Sequence, residues 1–259
     1  MMIDTHCHLD DAGYTNLDAI LHAAQQQGVS HFIIPAADPK DLAKAHAISH
    51  QFDCVYFAVG VHPNCAKDYD EQLLRSYITD SRCVAVGECG LDYYRLSSHD
   101  AETTKQLQKE IFAAQIRLAI EFELPLILHI REASADVLQI LRTFDHKRLR
   151  GVLHCFNADS ILLELSETFY YGIGGVLTFK NARRLVQILP QIPRERLLLE
   201  TDAPYLTPEP HRGTRNTPVY IPLIAQKMAE ILQTTTENIS TLTDKNADIL
   251  FGLKMACLR

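Results

Sequence analysis

Two histidines separated by one residue, His6 and His8 in DTHCHLD, form the simplest pattern in the chain that could hold a metal. Placed at random, 12 histidines in 259 residues would give roughly half a His-x-His pair, so the motif alone decides nothing. It gains weight from its company. Glu88 in VGECG, His129 in PLILHI, His154 in GVLHC and Asp202 in LLLETDAP each stand at or just after the end of a short apolar run. Four imidazoles and two carboxylates make a nitrogen and oxygen donor set larger than a closed tetrahedral zinc site needs. Such a set suits one cation with open positions or two neighbouring cations. Zinc or manganese fits imidazole nitrogen, whereas magnesium prefers oxygen and keeps its waters.

Other polar residues gather near these. His62, in GVHP, either contacts a substrate phosphate or caps its loop. Glu200, two residues before Asp202, shares its face one layer deeper and either orients a ligand or forms a buried ion pair. Arg131, two residues after His129, and Arg215, in RGTRNTP, carry the planar fork that matches phosphate oxygens. Tyr93, Tyr94 and Phe156 follow candidate ligands and either stack on bases or pack. Cys7, Cys89 and Cys155 each adjoin a candidate ligand, so strand alternation turns them to the opposite face, where a small thiol packs. His22, His46, His50 and His146 fall in helical stretches or at helix ends and receive no role.

The elements that must position these residues are read from periodicity. Eight β-rich runs alternate with helical patterns: MIDTH, SHFIIPA, CVYFAVGV, CVAVGE, PLILHI, GVLHC, FYYGIGGV and RLLLET. Leu107, Ile111, Ala114 and Leu118 recur at helical spacing, as do Val137, Leu138, Leu141 and Phe144. TNLD predicts a capping box with Thr15 as N-cap and Asp18 three residues on. Eight strand–helix units predict an α/β fold, a (β/α)8 TIM barrel over residues 1–259 as one domain. Its strands would be mostly parallel, because each helix returns the chain to the same end. An open doubly wound sheet is the alternative, but its Gly-rich dinucleotide fingerprint is missing. In a barrel the C-terminal strand ends share one face, where the active sites of this fold sit. The candidate ligands all fall there.

A net charge of −7 argues against a broad basic surface gripping duplex DNA through many phosphates. A narrow site with a few local cations stays compatible with a phosphate-bearing substrate. The longest apolar runs are too short to cross a bilayer, and no secretory signal is visible. Seven cysteines, an odd number without a Cys-x-x-Cys pair, do not suggest a disulfide framework. The expectation is a cytoplasmic protein with no membrane partner, a monomer by default.

DTHCHLD, GVHP, GECGLDYY, PLILHIREA, GVLHCF, TFKNA, LLLETDAPYL and RGTRNTP run in order from residue 4 to 218. Together they resemble the TatD-type metal-dependent hydrolases, a deoxyribonuclease-like branch of the amidohydrolase superfamily, and within it the bacterial YjjV group. The resemblance implies a (β/α)8 barrel, one or two divalent ions (Zn, Mn or Mg) and hydrolysis of phosphodiesters at the ends of single-stranded DNA. The typical mode is that of a 3′-to-5′ exonuclease. It further implies that His6, His8, Glu88, His129, His154 and Asp202 are the metal ligands, with Glu88 bridging. Asp202 would also accept the proton of the attacking water. Two loops depart from the pattern: NAD after HCF lacks the expected glycine, and Thr214 and Thr217 replace an expected Lys and Glu. The same ligand set would serve attack on a carbonyl carbon. A D-aminoacyl-tRNA deacylase or other ester or amide hydrolase, and a non-catalytic metal-binding interaction protein, therefore stay open.

Overall fold

The computed structural model describes residues 1–94, 96–97 and 99–253. Eight strands lie in one sheet in chain order: Met2–Asp4 (β1), Val29–Ile34 (β2), Val55–Val59 (β3), Cys83–Asp92 (β4), Leu126–Arg131 (β5), Gly151–Leu153 (β6), Phe169–Ile173 (β7) and Leu197–Leu199 (β8). Every neighbouring pair is parallel. The sheet closes on itself where Thr5 N–H donates to Leu199 O at 3.1 Å, which makes the expected barrel.

The connections are Leu17–Gln26 (α1), Leu42–Gln51 (α2), Glu71–Tyr77 (α3), Ala101–Glu121 (α4), Ser134–Leu141 (α5) and Arg183–Ile188 (α6), with Ile221–Leu232 (α7) and Thr236–Phe251 (α8) after β8. The unit between β6 and β7 departs from the regular pattern. Its crossover is a 3₁₀ segment, Ser160–Leu165, in place of an α-helix.

Alternation sorts the strand residues into two apolar layers. Ile3, Ile33, Tyr56, Ile127, Val152 and Leu198 fill the barrel interior, and Leu250 and Phe251 of α8 close its lower end. That end is fixed because Asn246 of α8 donates to Leu197 O, at the start of β8, at 2.9 Å. Their sequence neighbours Phe32, Phe57, Leu128 and Leu199 instead join Leu21, Phe112 and Leu138 beneath the helices. Each such side chain contributes about 1.5–3 kcal/mol on full burial.

Three local expectations need correction. The N-cap of α1 is Asn16, whose side chain accepts the Ala19 N–H at 3.0 Å; the carboxamide caps well, so Thr15 is not needed. The buried residues of α4 are Gln108, Phe112, Gln115, Ile116, Leu118 and Ala119, so Leu118 of the expected stripe is buried while Leu107, Ile111 and Ala114 are only partly so. Two buried glutamines explain the difference. Gln115 brackets the backbone of Val61, accepting its N–H at 2.8 Å and donating to its carbonyl at 3.1 Å. Gln108 does the same for Asp92, at 3.0 and 3.1 Å. Third, Val137, Leu138 and Leu141 are buried on α5, but Phe144 lies past its end.

Cys7, Cys54, Cys65, Cys83, Cys89 and Cys155 are free thiols, and Cys257 lies outside the described residues. Among the described residues no helix is long and apolar enough to cross a membrane.

Candidate metal centre

The seam that closes the barrel also assembles the first part of the site. Ile3 faces the barrel interior, so unbroken alternation would turn His6 outward. A bend at Thr5 resets the chain. Asp202 N–H then donates to His6 O at 2.9 Å, and His8 N–H to Ala203 O at 2.7 Å. Asp4 pins the seam from below, accepting from Thr201 N at 2.9 Å and Thr201 Oγ1 at 2.6 Å. Asp202 itself sits at φ 55°, a left-handed conformation that Asp tolerates better than most residues.

Glu88 occupies the centre. The β4–β5 register shifts between Val86 and Cys89, and the displaced segment carries Glu88 to the C-terminal face. Its Oε2 lies 3.3 Å from His6 Nε2 and 3.8 Å from His8 Nε2. Its Oε1 lies 2.7 Å from His129 Nδ1, 3.7 Å from His62 Nε2 and 3.8 Å from His154 Nε2. Asp202 Oδ1 faces the Nε2 atoms of His8, His154 and His6 at 3.5, 3.7 and 3.8 Å. All six expected ligands thus converge, and His62 joins them, with its Nδ1 accepting the Asn64 N–H at 3.1 Å.

Glu200 is fully buried behind His154. Its Oε1 lies 3.1 Å from His154 Nδ1 and accepts the Cys155 N–H at 2.6 Å. The space for it is made by Gly172, where any Cβ would collide with the Glu200 carboxylate. Asp92 holds His129 in the same way, with Oδ2 at 3.2 Å from Nε2. Sequence reading missed Asp92. The available signal was its place four residues after Glu88, on the same face of the strand run GECGLD.

Burial and charge set the protonation of the cluster. Burial pushes His62 down to about 4 and lowers His6 as well. It would do the same to His154 and His129, but Glu200 and Glu88 lift His154 to about 10, and Asp92 and Glu88 lift His129 to about 9. Burial opposes ionisation of Glu88, yet His6, His154 and His62 hold its carboxyl well below the usual range. Two ionised carboxylates therefore face a neutral His6 whose buried ring nitrogens make no hydrogen bond. Buried polar atoms normally find partners. A divalent cation satisfies both sides at once, and the donor chemistry fits it. The sets His6–His154–Asp202, His6–His8–Glu88 and His62–Glu88–His129 each bring ligand atoms within 4.8 Å of one another.

A cavity of about 720 Å³ opens above this cluster, lined by Arg131, Phe156, Asn157, Val176, Tyr205 and Leu206 among others. The Arg131 guanidinium lies 3.7 Å from the centre of the Tyr94 ring. Tyr205, which sequence reading also missed, is 57% exposed and meets His8 edge-on at 5.9 Å. Arg215 is placed differently: it is paired with Asp11, stacks over Tyr14 at 4.6 Å and does not line the cavity. Tyr93 donates to Asp136 Oδ2 at 2.8 Å and packs against the helix-facing layer. Cys7 and Cys89 are wholly buried in that layer, opposite the neighbouring His6, His8 and Glu88, because the bend at Thr5 and the β4 register shift reset the alternation. Cys155 is not. At φ 43° it breaks the alternation just past β6 and lines the cavity.

Residues 3–252 match the family described as TatD related DNase. The chain belongs to the TatD family. Among TatD-like relatives, it is 37% identical over 259 residues to the uncharacterized metal-dependent hydrolase YabD of Bacillus subtilis, covering 98% of this chain and 100% of that one. It is 35% identical over 246 residues to the 3′-5′ ssDNA/RNA exonuclease TatD of Cronobacter sakazakii, covering 90% of this chain and 91% of that one. The crystal structure of YjjV, a TatD homolog from Escherichia coli, superposes with a TM-score of 0.87 at 29% identity, covering 97% and 98% of the two chains. The two loops that depart from the TatD sequence pattern can now be placed. Ala158 stands at φ 60°, a backbone that glycine favours, just where the expected glycine is missing. Thr214 Oγ1 donates to His211 O at 2.8 Å, a local turn bond rather than a reach toward the cavity.

Proposed function

We propose that this TatD-family hydrolase is a divalent-metal-dependent phosphodiesterase that removes nucleotides from the ends of single-stranded DNA, in the 3′-to-5′ direction. The observation that carries the reading is Glu88, whose two oxygens address separate groups of imidazoles, His6 with His8 and His62 with His129 and His154. Glu88, together with these imidazoles and Asp202, would hold the cations. Imidazole-rich donors favour zinc or manganese over magnesium. When bound, such ions acidify water and neutralise phosphate charge.

The chain's own residues supply the rest. Asp202 is ionised, its carboxyl held low against burial by His8 and His154, and takes the proton of the attacking water. Arg131 at the rim grips a phosphate through its fork. Tyr205, exposed beside His8, offers a face on which a terminal base stacks. A net charge of −7 agrees with capture of one strand end in a narrow site, since little of the surface would attract a duplex. The relative named as a 3′-5′ ssDNA/RNA exonuclease supports the substrate class.

The test is to offer metal-loaded protein 3′-labelled single-stranded DNA, a D-aminoacyl-tRNA and a simple ester, with His129→Ala in parallel. Release of labelled mononucleotide by the wild type and its loss in the variant are expected. Turnover of only the ester or the tRNA would replace the proposal with a deacylase or esterase, and no turnover of any substrate would point to a binding protein.

A further inference from the structure

We propose a second transition-metal site on the outside of the barrel, formed by His46, His50 and Asp80. It is independent of the centre around Glu88. His46 and His50 are four residues apart on α2, which puts both imidazoles on one face of the helix. Asp80 comes from another element, the turn between α3 and β4. Both ring Nε2 atoms converge on the same oxygen, Asp80 Oδ2, His46 at 3.1 Å and His50 at 2.9 Å. This places the group before β3 and β4 begin, at the opposite end of the barrel from Glu88.

The three side chains are already organised. Asp80 Oδ1 accepts the Arg82 N–H at 2.8 Å, which fixes the plane of the carboxylate and leaves Oδ2 for the imidazoles. His46 is wedged edge-on against Phe57 at 5.5 Å and Tyr77 at 5.1 Å. His50 lies beside it, with ring centroids 4.5 Å apart. Little rotamer freedom remains to be lost on binding, the usual benefit of a preorganised ligand set.

The chemistry selects the ligand. The three donor atoms lie within 4.8 Å of one another. A tetrahedral zinc site with bonds of about 2.0–2.1 Å needs donors about 3.3 Å apart, so the two imidazole–Asp80 distances, 3.1 and 2.9 Å, have to open by only a few tenths of an ångström. Two nitrogens and one oxygen suit zinc, copper or nickel, whereas calcium and magnesium want oxygen throughout. The ion would replace the protons that now join the imidazoles to Asp80, and water would complete its shell. Both histidines reach solvent, so entry is open. Occupancy would clamp the end of α2 to the start of β4.

Untagged wild type, His46→Gln/His50→Gln and Asp80→Asn are titrated with zinc against a chromogenic chelator. Wild type is expected to take up one equivalent more than the double variant, and Asp80→Asn to bind that equivalent at least tenfold more weakly. Equal uptake by wild type and a folded double variant would overturn the site and leave a hydrogen-bonded clamp. If circular dichroism shows the double variant unfolded, Asp80→Asn decides alone: zinc affinity equal to wild type overturns the proposal.

Discussion

His6 and His154 lie face to face, their ring centroids 3.4 Å apart and their planes within 14°. One comes from the first strand end and the other from the sixth, and neither ring nitrogen of His6 makes a hydrogen bond. Two stacked imidazoles facing Glu88 and Asp202 make a donor set that could hold a cation. Metal analysis should therefore separate neighbours in sequence. His6→Ala should lose most of the bound divalent metal, while Cys7→Ala, buried on the other side of the same turn, should retain it. Equal metal content in the two variants would contradict the ligand assignment.

Glu200 tests how far the support behind the ligands matters. Its carboxylate sets the ring of His154 and raises its basicity, so Glu200→Gln keeps the shape and removes the charge. Losses of outer partners of this kind cost about 10–100-fold in metal affinity. A competition titration against a chelator should show that loss, and the metal-free protein should also unfold at a lower temperature, because His154 loses the buried partner that raises its basicity.

Gln115 offers a test of stability rather than chemistry. It satisfies both backbone groups of Val61, the residue before His62, inside a packed layer. Gln115→Leu keeps the volume and strands two buried polar groups, at about 1–3 kcal/mol each. Denaturant unfolding should register a loss of about 2–6 kcal/mol; a neutral result would mean that Val61 finds other partners.

Asp244 on α8 gives a dependence on pH. Burial pushes its carboxyl up to about 6, only partly offset by the Met1 ammonium 3.4 Å away. The folded chain thus holds this proton more tightly than the unfolded one. The site favours folding below the ordinary carboxyl range and loses that contribution as pH rises through 6. The stability of wild type relative to Asp244→Asn should fall between pH 4 and 7, by at most about 3 kcal/mol at about 1.4 kcal/mol per unit. Parallel unfolding curves at the two pH values check it, and a constant difference would exclude a shifted carboxyl.

Much of this molecule was legible from sequence order alone. Strand periodicity alternating with helical periodicity leaves few ways to bury both patterns, and a barrel then carries every C-terminal strand end to one face. For that reason His6, His8, Glu88, His129, His154 and Asp202 could be named together before any distance was known. Their types are local facts, and the fold class needs only the period.

Tertiary structure decided where each side chain points and what stands behind it. Alternation fails at the bend of Thr5, at the β4 register shift before Glu88, and at the left-handed Asp202 and Cys155. Those are places where strands stop being regular, so no period predicts them. Pairings such as Glu200 with His154, Asp92 with His129 and Gln115 with Val61 span chain separations that sequence spacing cannot measure. Arg215 shows the same limit from the other side. Its residue type and loop suited a phosphate, but its position was settled by Asp11 and Tyr14, which only the closed barrel brings within reach.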